Sequence, residues 1–357
     1  MKPIKSLCSI PLFRSCGLSM LLALSGCANL SPSARELADD YRGSPTAPRA
    51  ATNAYADALA RFGRLLEVYT SRPYVIQVSD VADSTGVSAM SGGEIPMNLT
   101  AMVQSAINRI GERIRLAPLD TTSIAVATVY GTGLPQPDIR ISGGVTEFDR
   151  ALGSSASKFD FGTTIGRGRN ATDLSADYGR NASFSKLTFD VNAIDFRTGM
   201  AIPRVQAVTS IRVLNDSQEG SLNIAILGAG LGFERKTRML QGRHEAVRLV
   251  VDMSILQLIG RYLAVPYWRC LPEGVEDEVV LERVRRGYVR LNPTARLKQV
   301  QELLMLYGYR VRASGQLDAP TRQALKALQE RAQRPFADPT AVEAYLWLYL
   351  NLPAGTR

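Results

Sequence analysis

The sequence predicts an α+β fold followed by a small all-α tail. Two stretches, 53–70 and 99–110, place apolar residues at helical spacing, and several segments between 74 and 226 alternate apolar with polar residues. The stretch 294–350 then returns to a leucine-rich helical pattern whose turns are marked by glycine.

The opening residues set the compartment. Lys2, Lys5 and Arg14 give a positive start, the run 18–24 is apolar but too short to span a bilayer, and small residues follow, which is the pattern of a secretory signal. The string Leu24-Ser25-Gly26-Cys27 resembles the lipobox of bacterial lipoproteins. The resemblance implies a signal peptide of residues 1–26, cleavage before Cys27, and a lipid on the Cys27 sulfur. Ala28 after the cysteine implies, by the same resemblance, export to the outer membrane with the protein facing the periplasm. Cys8 and Cys16 leave with the signal, so Cys270 has no partner within the mature chain and is expected as a semi-buried free thiol.

With 45% hydrophobic and 21% charged residues over 357 positions, the chain has the composition of a folded protein and the length for two domains. Residues 27–52 are rich in Ala, Ser, Pro and Arg without an apolar period and read as a tether. Leu59, Phe62, Leu65, Leu66 and Tyr69 then predict an amphipathic helix, 74–81 a strand, and 99–110 a helix entered at Asn98. Between that strand and helix lies the Gly, Ser and Pro loop from Asp83 to Pro96, long enough to suggest a role beyond connection.

Four later segments alternate. Phe159, Phe161, Thr163 and Ile165 alternate with polar residues, as do Leu187, Phe189 and Val191; Val205, Ala207, Thr209, Ile211 and Val213 precede a polar connection and then Leu222, Ile224 and Ile226. Two hairpins are expected. Strands of this kind suit a soluble antiparallel sheet with one wet face or a transmembrane barrel, and periodicity does not choose between them. In lipid, four strands cannot close a barrel, so one would have to be shared among copies. Ile211 and Ile224 are then the expected lipid-facing positions.

Two further sets of sequence pieces bear on that choice. The run from Arg72-Pro73-Tyr74 through Asp83-Ser84-Thr85-Gly86, then Ile95-Pro96 and Ala101-Met102-Val103-Gln104-Ser105-Ala106-Ile107, resembles the CsgG-like curli secretion channel family. Ile141-Ser142-Gly143-Gly144-Val145-Thr146-Glu147-Phe148-Asp149, Asp195-Phe196-Arg197-Thr198-Gly199 and a helix around Met253 to Ile259 keep that family's order. The resemblance implies an assembly or transport domain over 53–270. In that family a periplasmic α/β domain gives two β-hairpins to one oligomeric outer-membrane β-barrel. The loop from Asp83 to Pro96 would narrow the channel, with Val87, Met90, Ser91 and Glu94 meeting cargo. It departs from the family in having no Phe, Tyr or Trp there. Implied partners are further copies in a homo-oligomeric ring, outer-membrane lipid, and secreted fibre or adhesin subunits.

Residues 271–293 are expected as a linker, and 294–350 as a second domain. Val300-Gln301, Leu303-Leu304, Tyr307-Gly308-Tyr309, Ser314-Gly315-Gln316-Leu317-Asp318, Thr321, Ala324-Leu325 and Leu328-Gln329 resemble the three-helix peptidoglycan-binding domain. Tyr309, Arg310, Arg312 and Arg322 are the candidate wall contacts, opposite acidic stem peptides. The net charge is +9, and residues 282–357 hold thirteen Lys and Arg against six Asp and Glu, so the excess sits mostly in the tail. An exported lipoprotein does not meet nucleic acid, which leaves anionic envelope polymers as partners. Trp347, Tyr345 and Tyr349 are expected to pack helices.

Catalysis has little to draw on. His244 is the single histidine, Cys270 lacks flanking glycines, and no metal-ligand or triad spacing occurs, so no catalytic residue, metal or cofactor is expected. Glu147 and Asp149 share a strand face, a placement commoner in structural pairs than in acid and base chemistry. The expected function is therefore secretion or anchoring of a curli-type surface appendage or adhesin, with a wall-binding tail. The alternative is a monomeric wall-binding scaffold lipoprotein without channel activity.

Overall fold

A computed structural model of the protein describes residues 54–90, 95–117, 121–131, 133, 136–149, 183–215, 222–225, 237–240, 243–271 and 274–353. Cys27, the tether and the expected strand 158–165 lie outside these residues. The fold is mixed α+β.

Helix α1 (Ala54–Tyr69) buries Leu59, Phe62, Leu65 and Leu66, the residues whose spacing predicts it. Strand β1 (Tyr74–Asp83) leads through a helical turn, α2 (Val87–Met90), to α3 (Thr100–Asn108), and short β2 (Ile114–Leu116) and α4 (Thr121–Tyr130) follow. Then come β3 (Ile139–Asp149), β4 (Ser183–Asp195), β5 (Ala201–Asn215), β6 (Leu222–Ala225) and β7 (Thr237–Leu240). The seven strands form one open sheet in the order β2-β1-β3-β4-β5-β6-β7, parallel between β1 and its neighbours β2 and β3, and antiparallel from β3 onward.

Helix α5 (Arg243–Leu263) lies on this sheet, with α1 and α3 packed against it. Between two layers, a helix is buried on nearly all sides and loses the one-faced pattern of a surface helix. From Val250 to Ile259 every residue is buried, including Asp252, which Arg109 neutralises through two contacts of 3.0 Å. Ser254 donates to Thr209 in β5 at 2.8 Å and so fixes which face of the strand meets the helix.

That contact corrects one expectation. Val205, Ala207, Thr209 and Ile211 share a face, and all are buried there; Ile211 therefore points into the core beneath α5, not toward lipid. The opposite face carries exposed Gln206 and Val208. The expected pairing of the second hairpin is present, with Val213 opposite Ile224 in the β5–β6 ladder. Among the described residues, no helix is long and apolar enough to cross a membrane.

The stretch 271–293 also differs from the expected linker. A 3₁₀ turn (Tyr267–Cys270) leads to α6 (Glu278–Val289), which buries Val280, Val284 and Tyr288. Buried Asp277 caps α6 by accepting from Val279 N at 2.9 Å, while Arg261 Nε at 2.6 Å and the Tyr267 hydroxyl at 2.7 Å hold the same carboxylate. A charge at 277 with these three donors makes the segment a fixed joint.

The tail consists of α7 (Pro293–Leu306), α8 (Ala319–Ala332) and α9 (Val342–Leu350), begun at α7 and α8 by the side-chain caps Asn292 and Asp318. Helix α9 packs on α6 and α7, and Tyr345 stacks on Tyr288 at 3.8 Å. The tail is joined to the sheet region by tyrosines. Tyr349 meets Tyr69 of α1 edge-on at 5.0 Å, the Tyr349 hydroxyl donates to Ala264 O at 3.1 Å, and the Tyr69 hydroxyl donates to Tyr349 O.

Candidate functional site

Two exposed segments stand out, one at an end of the sheet and one in the tail. The first begins where β1 ends. Asp83 stands opposite Val145 in the parallel β1–β3 pair, so the loop leaves the sheet at the end toward Asp149. At that end Ser183, the first residue of β4, pairs with Asn215, the last of β5, and Asn215 pairs with Leu222, the first of β6. The connections 150–182 and 216–221 therefore leave from the same end as the loop.

The loop is tied down at both ends. Leu99 N donates to Val81 O at 2.7 Å, Asp83 N to Met97 O at 3.2 Å, and Ile95 is buried at 1% exposure as an apolar anchor. The Asp83 carboxylate accepts from Thr85 N at 2.9 Å, the Thr85 hydroxyl at 2.5 Å and Ser88 N at 2.9 Å. Partial burial works against its charge, but these bonds from Thr85 and Ser88 outweigh it and hold the carboxyl below the usual range. The chain then turns at Gly86, whose φ of +74° is left-handed and suits glycine. Of the residues expected to meet cargo, Val87 is half-buried at the start of α2 and Met90 ends it, while Ser91 and Glu94 lie outside the described residues. Met97 is 67% exposed on the return limb, a position sequence reasoning passed over.

The second segment joins α7 to α8. Tyr309 is half-buried, with its amide bonded to Leu304 O at 3.0 Å, and Arg310 and Arg312 are exposed just beyond it. Arg322, on the first turn of α8, reaches back to the carbonyl of Leu317, the last residue of the segment that carries the other three candidate wall contacts. Fully buried Gln301 of α7 holds that turn from beneath, donating to Gln316 O and the Thr321 hydroxyl at 2.9 Å each and accepting from Gly315 N at 2.8 Å. The sequence placed Gln301 in a motif without a role. A glutamine among aliphatic core positions of a helix was the signal available.

The groups weighed for catalysis are dispersed. Burial pushes the Cys270 thiol up to about 11, His244 is exposed, and Glu147 is bonded to Lys186 at 2.7 Å and Thr188 at 2.6 Å. Among the described residues, no group of three or more His, Cys, Asp or Glu is placed to hold a metal ion.

No family model matches the sequence, and no curated protein is similar to it. Among solved structures, the chain is similar to lipoprotein GNA1162 from Neisseria meningitidis, at 14% identity and a TM-score of 0.22, over 42% of this chain and 89% of that one. It is similar to the hypothetical protein CT253 from Chlamydia trachomatis at 12% identity and a TM-score of 0.27, over 54% and 96% of the two chains. A third similarity is to PelC, a dodecamer from Paraburkholderia phytofirmans, at 11% identity and a TM-score of 0.21, over 53% and 89%.

Proposed function

We propose that this protein is a non-catalytic, ring-forming outer-membrane lipoprotein, anchored through Cys27, that secretes or anchors a curli-type appendage or adhesin and grips peptidoglycan with its tail. The observation that supports this reading most is the shared end of the sheet. Membrane hairpins and a channel-narrowing loop must lie on one side of a periplasmic collar, and 150–182, 216–221 and the Asp83 loop all depart from one end. Electron microscopy of the detergent-extracted protein is expected to give rings with a central pore; uniform monomers would exclude the channel. Cys27→Ser is expected to remove the protein from the outer-membrane fraction.

One observation favours the second reading, a monomeric wall-binding scaffold. The apolar face of β5 as far as Ile211 is already covered by α5 within a single chain, so that part of the hairpin needs no partner copy. The same micrographs separate the two readings.

A further inference from the structure

Gln301 has no exposed surface, yet its neighbours in the buried face of α7 are Leu297, Val300, Leu303 and Leu304. An amide in such a place destabilises the fold unless its groups are bonded. All of them are. Nε2 donates to Gln316 O and the Thr321 hydroxyl and lies 3.3 Å from Ser314 Oγ, while Oε1 accepts from Gly315 N. One side chain thus ties α7 to the turn and to the first residues of α8.

What it fastens is surface. Arg310, Arg312 and Gln316 are exposed, and Leu317 is 43% exposed. Gly315 has a φ of +74°, and a Cβ there would come within 2.6 Å of Thr294 Cγ2, so the turn presses onto the start of α7. Residues 308–317 include two arginines and no acid, and the next acid, Asp318, is taken up by the amide and hydroxyl of Thr321. Arg322 adds a third guanidinium at the Leu317 carbonyl. A buried amide satisfied in this way adds order to the backbone of the turn, not apolar area to the core, and an ordered backbone lowers the entropy cost of gripping an anion with the arginines it carries.

The geometry points to Gln301 as the positioning residue of a carboxylate-recognition turn, 310–317 with Arg322, whose ligand is the acidic stem peptide of the cell wall. The inference rests on the wall-binding reading of the tail. Its test is co-sedimentation of the detergent-extracted full chain with purified peptidoglycan sacculi at low temperature, where circular dichroism confirms that each variant is folded. Gln301→Leu is expected to weaken binding about tenfold, as is the pair Arg312→Gln with Arg322→Gln, and the triple variant should be no weaker than the pair, since both act through one turn. Unchanged binding by a folded Gln301→Leu chain, or losses that simply multiply in the triple variant, overturn the inference while leaving wall binding intact. Failure of the unsubstituted chain to sediment overturns the wall reading and the inference with it.

Discussion

The Asp83 loop and the Arg310–Leu317 turn are both exposed segments, each held by one polar side chain and each bent at a left-handed glycine, yet the holding groups differ in kind. Asp83 is half-buried and works as a charged acceptor for two amides and a hydroxyl. Gln301 has no exposure and works as a neutral group that both donates and accepts. Near water a carboxylate keeps part of its hydration and makes the stronger bonds; in a dry core the same charge would cost more than its bonds return, and an amide is the stable choice.

The largest effect expected is on the scaffolds of the two segments. A chain ending after Pro272 loses the helices that cover Tyr69 and Ala264, so it should be recovered as aggregate by size-exclusion chromatography, contrary to the independence that a linker over 271–293 implied. Replacing 87–93 with glycine and serine should leave the thermal transition within a few degrees, because buried Ile95 and the backbone bonds of Val81 and Asp83 to Leu99 and Met97 lie outside the replaced stretch. Next in size is Gln301→Glu, which places a carboxylate against Gln316 O in a dry site and should cost about 3 kcal/mol in urea unfolding at neutral pH. Asp83→Asn keeps an acceptor at a wetter site and should cost about 1 kcal/mol in the same measurement. If the two substitutions cost the same, the contrast drawn from burial fails.

The smallest effect is one of pH. The folded Asp83 carboxyl lies below its ordinary 3.8, so its contribution to stability is complete above that value and is lost as pH falls through the lower folded one. Gln301 does not titrate. Acid unfolding curves for the parent and Asp83→Asn chains should therefore converge below about pH 4, whereas the deficit of Gln301→Leu should persist.

Elements with one clear period were legible in the sequence: α1 from Leu59, Phe62 and Leu66, α3, and the alternating strands β4 and β5. Helix α4 was not, because its run from Thr121 to Tyr130 mixes β-branched, hydroxyl and apolar residues without a stripe. Helix α6 was hidden for the opposite reason. Its Arg and Glu residues read as linker, and only Val280, Val284 and Tyr288 mark the buried face. The orientation of Ile211 was undecidable from alternation, which says that two faces differ but not what covers either. The candidate site divides in the same way. Sequence placed the loop and the arginines, while the roles of Asp83 and Gln301 depend on hydrogen bonds that only folding brings within reach.

The tyrosine seam has a mechanical consequence. A pull applied to the tail is not first absorbed by uncoiling a spacer. It passes through the Tyr349–Tyr69 contact and the Tyr349 hydroxyl at Ala264 O into α1 and the end of α5. Such a joint is stiff at small displacement and yields all at once when its few bonds shear. A load on the tail would thus be borne by the folded body up to a threshold.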